Sequence, residues 1–268
     1  MNNKKLFLVF ILVLYSTVLW AEVDPGEYFK KSGINSQEKV DHQIFQNILD
    51  TYLDNTNSSG INRFDYKSVS IEDKKALKNY LKYLEEIKVT SLNKDEQMAY
   101  WINMYNALTI NTILDKYPVD SIKDIKSGVF TPGPWKLKLV EVENIELSLN
   151  EIEHSILRPI WRDKRIHYAV NCASIGCPNL SKSVYTAENL TQMLENAASD
   201  YINHPRGVRF ENDKLFLSSI FNWYKDDFGS KDELLKHLAS YSLGSNKENL
   251  LNWKGSIKYG YDWDLNSP

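Results

Sequence analysis

Apolar positions spaced three to four residues apart predict a chain rich in amphipathic helix. Ile44, Ile48 and Tyr52 mark one helix within 40–53, and Leu77, Tyr80, Leu81 and Leu84 mark another over 72–88 among lysines and glutamates. A third stretch, 94–116, is apolar on more of its circumference and ends before Pro118, as a residue preceding proline disfavours helical backbone. The same spacing extends to 187–202, and residues 218–228 and 231–241 also read as helical.

Between these helices the period shortens. Leu137, Leu139, Val140 and Val142, then Ile145, Leu147 and Leu149, flank Glu143-Asn144 and predict a β-hairpin. A second hairpin over 208–217 turns at Asn212-Asp213. Ser148-Leu-Asn-Glu151 is a capping box, so a helix is expected from Leu149 to Arg158, stopped by Pro159. The run Arg165 to Cys172 reads as a buried strand, and Tyr259 to Trp263 as an extended segment closing over the core. The polar run Asn55 to Gly60 is a surface loop. Together these elements define an α+β class, with helices packed on a small, mainly antiparallel sheet.

The first 21 residues stand apart. Lys4 and Lys5 precede an apolar run from Leu6 to Leu14 that continues to Trp20 and Ala21, the order of a cleavable secretory leader. The run is shorter than the roughly 20 apolar residues that cross a bilayer, so stable membrane insertion after its removal is not expected. Residues 22–268 are then expected to form a single globular domain in the periplasm or outside the cell. A formal net charge of −3, without a basic cluster, argues against nucleic acid as a partner. The seven Trp and sixteen Tyr are read mainly as packing, with Trp223, Tyr224 and Phe228 assigned to the core. His42, His204 and His237 fall on segments read as exposed, and receive no role.

Polar chemistry concentrates in three stretches. Asn103 and Asn106 lie three apart on one face of the apolar third helix, where buried amides need partners, either a neighbouring loop or a ligand. In Glu153-His154 to Arg158, His154 and Arg158 share a helix face, while Glu153 points about 100° away. In His167 to Pro178, strand alternation sets His167 and Asn171 on one side and Cys172 on the other. The small-residue loop that follows, including Ser174, is one whose backbone amides could face an anion or oxyanion. A cysteine at such a loop suits nucleophilic attack, provided that a histidine lowers its pKa.

Trp101-Ile-Asn-Met-Tyr-Asn-Ala107, Leu147-Ser-Leu with Ile152-Glu-His154, Arg165-Ile-His with Asn171-Cys172, Cys177-Pro178, Trp223 to Phe228 and Tyr261 to Asn266 resemble the domain of unknown function 547 family. The resemblance spans about residues 95–266. It implies an exported bacterial protein related to the C-terminal parts of larger plant proteins. It also implies that Cys172 is retained where Ser replaces Cys177, which gives Cys172 the stronger claim to a shared role.

Three classes of function follow. In a thiol hydrolase or acyltransferase acting on peptide or amide bonds, Cys172 is the nucleophile and His154 or His167 the base, oriented by Glu153 or Asn103. Asn106, Arg158, Asn171 and Ser174 would contact a small-molecule or peptide ligand. In a non-enzymatic binding module, Cys172 and Cys177, the only two cysteines, form a structural disulfide, as an even count in an oxidising compartment favours. The spacing differs from the two-residue interval of thioredoxin-like motifs, which ranks a redox role low. A zinc site from His154, His167, Cys172 and Cys177 lacks familiar ligand spacing, so no metal or other cofactor is expected.

Overall fold

The computed structural model describes residues 23–126, 128 and 131–268; the expected leader over 1–21 lies outside them. Helix α1 (Pro25–Phe29) is capped by Asp24, and α2 (Gln43–Tyr52) leads into β1 (Leu53–Asp54), which pairs antiparallel with β2 (Arg63–Phe64). Ser70 caps α3 (Ile71–Glu86) and Asn93 caps α4 (Lys94–Lys116), each accepting a backbone N–H of the first turn. Helix α4 is buried along most of its length, as its broad apolar circumference requires. It forms the axis of a cluster that gathers Phe45, Tyr80, Trp101, Leu147 and Ile156.

The first predicted hairpin forms as β3 (Val140–Val142) and β4 (Ile145–Leu147), with Glu143 and Asn144 both at positive φ. Ser148 and Glu151 then cap each other as the capping box anticipates. The helix that follows departs from expectation. Residues Glu151–Leu157 are π-helical, and the chain runs on through Pro159 as α5 (Arg158–Trp161). In the widened turn Arg158 donates its N–H to the Glu153 carbonyl. The Ser155 carbonyl, which α-helical geometry would press against the Pro159 ring, abuts Gly26 so closely that a Cβ there would collide with it.

The expected strand over 165–172 is instead one turn of helix, α6 (Ile166–Ala169), followed by extended backbone from Val170. Asp163 nucleates the turn by accepting the Arg165 N–H at 2.9 Å and clamping its guanidinium. Apolar residues here are buried on several sides by helices, so a short apolar run did not discriminate helix from strand. His167 and Asn171 therefore owe their placement to a helix end and not to strand alternation.

Helix α7 (Leu190–Ile202) precedes β5 (Val208–Glu211) and β6 (Lys214–Ser218), paired through positive-φ Asn212 and Asp213 as predicted. The expected helix over 218–228 is broken at Tyr224 into α8 (Ile220–Trp223) and α9 (Lys225–Phe228). Beyond α10 (Lys231–Tyr241) and α11 (Ser245–Leu251), β7 (Ile257–Gly260) joins β6 in parallel. The α+β class holds, with three small sheets among the described residues instead of one and a single parallel pair among them. A second cluster, including Tyr201, Leu215, Phe221 and Leu238, packs β5 and β6 against α7 and α10. No helix among the described residues is long and apolar enough to cross a membrane.

Candidate functional site

A cavity of about 220 Å³ opens where the two clusters meet, with Val170 contributed by the first and Ile220 by the second. Glu153, His154, His167, Cys172 and Cys177 line it together, facing an aromatic wall of Tyr105, Trp135, Trp223, Tyr224, Tyr261 and Trp263. Four of these rings are contiguous, with centroids 4.8 Å apart for Trp223 and Tyr261, 5.5 Å for Trp223 and Trp263 and 5.8 Å for Trp135 and Trp263. Trp223 is 46% exposed, so it belongs to this wall and not to the core. Tyr261 and Trp263 arrive from the C-terminal segment that β7 anchors.

The thiols converge because the chain reverses at Ala173, which occupies the left-handed region at φ 59°. Asn171 holds the reversal: its Oδ1 accepts the Ala173 N–H at 2.8 Å and its Nδ2 donates to the Pro178 carbonyl at 2.8 Å. The Cys172 and Cys177 sulfurs lie 2.6 Å apart, closer than unbonded sulfurs rest, and both cysteines are free. Cys172 is half-buried and Cys177 only 4% exposed. The Cys172 N–H donates to the Cys177 sulfur at 2.9 Å, while the Cys172 sulfur contacts the Ser174 hydroxyl at 3.1 Å and the Tyr261 hydroxyl at 3.0 Å.

These contacts divide the pair electrically. Proton sharing with Cys177, and then burial, pushes the Cys172 thiol well above its ordinary range. Burial opposes charge on Cys177 too, but hydrogen bonds from Cys172, Tyr261 and Ser174 overcome it and bring that thiol down to about 7. Three further loop amides are otherwise engaged. Ile175 and Gly176 donate to the Asp264 and Asp262 carbonyls at 2.8 Å each, and Cys177 donates to the Ser174 carbonyl at 3.0 Å. The anion these contacts favour is thus the Cys177 sulfur, rather than an oxyanion held by the loop backbone.

The histidines differ in what they leave free. His154 Nδ1 accepts from the Arg158 guanidinium at 3.1 Å, since arginine has no acceptor. His167 is fixed by stacking on Tyr224, with centroids 4.0 Å apart, and by Nε2 donating to Asp227 at 2.7 Å. Its Nδ1 is buried without a hydrogen-bond partner, 3.9 Å from Glu153 Oε1. The His167 hydrogen bond holds the Asp227 carboxyl far below the usual range, working against burial and aided by Arg158, whose Nε lies at 2.6 Å. Glu153 accepts the Tyr105 hydroxyl at 3.2 Å. Glu153 Oε1 lies 3.9 Å from His154 Nδ1 within the π-helical turn.

Neither imidazole is among the hydrogen-bond partners of the Cys172 sulfur, so the expected thiol–imidazole contact is not formed in the free protein. Asn103 and Asn106 stand behind the cavity. Asn103 exchanges two hydrogen bonds with the Tyr185 backbone, and Asn106 bridges the Ala169 carbonyl and the Asn171 N–H. Arg158 anchors Asp227, and Ser174 supports the sulfur pair. Sequence reasoning passed over Asp227, Trp223 and Tyr261, although all three lie in motifs that carry the family resemblance. Among the described residues no group of three or more His, Cys, Asp and Glu is arranged to hold a metal ion.

An α+β scaffold presenting a paired thiol and an anchored imidazole to one aromatic cavity defines a protein with a candidate sulfur-based site. Residues 89–202 match the family model described as protein of unknown function, DUF547, which supports the resemblance read from the sequence. The matched segment supplies α4, both cysteines and both cavity histidines, whereas Asp227 and the Trp223, Tyr261 and Trp263 wall lie beyond it. Comparison with curated proteins and with solved structures gives no match.

Proposed function

We propose that this protein is an exported thiol hydrolase or acyltransferase acting on peptide or amide bonds, with Cys172 as nucleophile and the aromatic cavity as its active site. The observation that carries the reading is the anchored His167, whose Nδ1 has no hydrogen-bond partner and whose residue lines the same cavity as Cys172. An imidazole held through one nitrogen by a carboxylate, with the other nitrogen unengaged, suits proton transfer. It favours His167 over His154, whose Nδ1 is occupied by Arg158.

With the Cys177 thiol brought down to about 7, a substantial fraction of the reduced pair carries one proton and one negative charge at neutral pH. The Cys177 thiolate takes the Cys172 proton as the Cys172 sulfur attacks a carbonyl carbon. Hydroxyls of Tyr261 and Ser174 donate to the developing oxyanion, and Cys177 returns the proton to the leaving amine. Water or an acceptor amine then attacks the thioester, giving a proton to His167 Nδ1. His167 passes that proton to the departing Cys172 sulfur, which restores the pair.

The test uses reduced protein and the activated ester 4-nitrophenyl acetate, followed by intact mass and peptide mapping. The expected result is a burst of nitrophenol with an acetyl group on Cys172, absent in Cys172→Ala. In His167→Asn the adduct persists, its hydrolysis slowed on the order of 100-fold, as loss of a general base implies. Folded, reduced protein that acquires no acetyl group on Cys172, or hydrolyses it equally fast in His167→Asn, would overturn the proposal.

A further inference from the structure

Four residues separate Cys172 and Cys177, and that interval folds into a turn that brings the sulfurs into contact. The turn is fixed from several directions: Ile175 and Gly176 donate to backbone carbonyls of the C-terminal segment, Asn266 donates to the Ala173 carbonyl at 3.0 Å, and Asn171 ties both ends. Neither sulfur has to travel for a bond to form. The pair is also asymmetric: both cysteines line the cavity, but Cys172 is partly exposed and Cys177 only 4% exposed.

We infer that Cys172 and Cys177 form a reversible dithiol–disulfide couple that exchanges with a small-molecule disulfide entering the cavity, Cys172 being the exchanging sulfur and Cys177 the resolving one. The couple goes beyond the acyl-transfer reading, with which it shares Cys172. In the oxidative direction Cys172 passes its proton to the Cys177 thiolate as its sulfur attacks one sulfur of the external disulfide. That S–S bond breaks, one external thiolate leaves with the electron pair, and a mixed disulfide remains on Cys172. Cys177, giving up that proton, then attacks the Cys172 sulfur as a thiolate and expels the second external thiolate. The two cysteine sulfurs are oxidised to one disulfide and the external disulfide is reduced to two thiols, which take up the one proton of the pair and a second from solvent.

The reverse sequence, begun by an external thiol at Cys172, reopens the pair. The position of Cys177 directs resolution to the Cys172 sulfur, because the other sulfur of the mixed disulfide lies out in the cavity. A thiol brought down to about 7 supplies the resolving thiolate at neutral pH. An exported protein meets an oxidising environment, in which such a couple is drawn on. Closure also removes the nucleophile on which acyl transfer relies.

Oxidised and reduced glutathione serve as probes on the folded full-length mature protein, with circular dichroism to verify each variant. Wild type is expected to lose two hydrogens in mass with oxidised glutathione and to recover both thiols with reduced glutathione without unfolding. Cys177→Ser is expected to hold one glutathionyl group on Cys172, and Cys172→Ser to acquire roughly ten-fold less at Cys177, as shielding of that sulfur dictates. Wild type that keeps both thiols, a disulfide that native protein cannot reopen, or folded Cys177→Ser that stays unmodified would overturn the couple. Acetylation of Cys172 in excess reductant is scored separately. Exchange without acetylation defeats only the acyl-transfer reading, and acetylation without exchange defeats only this one.

Discussion

Asn106 is aligned with Asn103 on α4, as the interval of three dictates, yet both amides are spent on backbone groups of neighbouring segments. Asn106→Ala would leave the Ala169 carbonyl and the Asn171 N–H unpaired in the interior, beside the turn that carries Cys172. The expected cost is about 2–4 kcal/mol, read as a lower urea midpoint at unchanged slope, and wild-type stability would contradict the assignment. Residue types in the chain announced that polar groups were buried but could not name their partners, because the partners are backbone atoms 63 and 65 positions away. Cys172 and His167 were legible as chemistry-bearing residues. The sharing of charge between Cys172 and Cys177 was not, since it depends on one backbone N–H, two hydroxyls and the left-handed turn at Ala173.

Elements with strong periodicity were the most legible. Helices α3 and α4 begin and end within about two residues of the pattern, and both hairpins turn at the expected dipeptides. Reading failed where periodicity is short or where tertiary contacts decide. The apolar run at 165–172 suits either period, and the Asp163 clamp tips it to helix. Pro159 signals a helix end, but the preceding π-helical turn accommodates it and brings Glu153 and His154 to the same cavity. The parallel pairing of β7 with β6 could not be read from local pattern, because β7 is short and its register is set by a strand some 40 positions earlier. That pairing is what delivers Tyr261 to the thiols.

At the scale of the whole molecule, each hydrophobic cluster carries a neutral histidine that sequence reading had left at the surface. His42 is buried and bonded to the Tyr80 hydroxyl at 2.6 Å, and His237 packs on Tyr168, whose hydroxyl lies 2.9 Å from its Nε2. Burial, opposed in part by Asp41, brings His42 down to about 4. Burial, assisted by Lys164, brings His237 to about 4 as well. A folded-state pKa below the unfolded value near 6.5 means that the unfolded chain binds more protons in between. Stability is therefore complete above about pH 6.5 and falls as pH drops toward 4, by an upper limit of roughly 3 kcal/mol for His42. Urea midpoints over this range should show the decline, and His42→Gln should flatten it; a wild-type midpoint independent of pH would contradict neutral burial. The site itself is a whole-molecule construction, drawing on α4, the π-helical turn, the cysteine turn, α8, α9 and the C-terminal segment, which is why the sequence named its sulfur and imidazoles but not its aromatic wall. The central claim is that Cys172 is the reactive sulfur of a pair holding negative charge at neutral pH, and its most direct test is the pH dependence of iodoacetamide alkylation of the reduced, folded protein. The expected profile has modification confined to Cys172 and rising with ionisation of the pair, whose Cys177 thiol lies at about 7, and the rise should move to higher pH in Cys177→Ser. A profile following an ordinary thiol near 8.5, or alkylation that reaches Cys177 and spares Cys172, would contradict it.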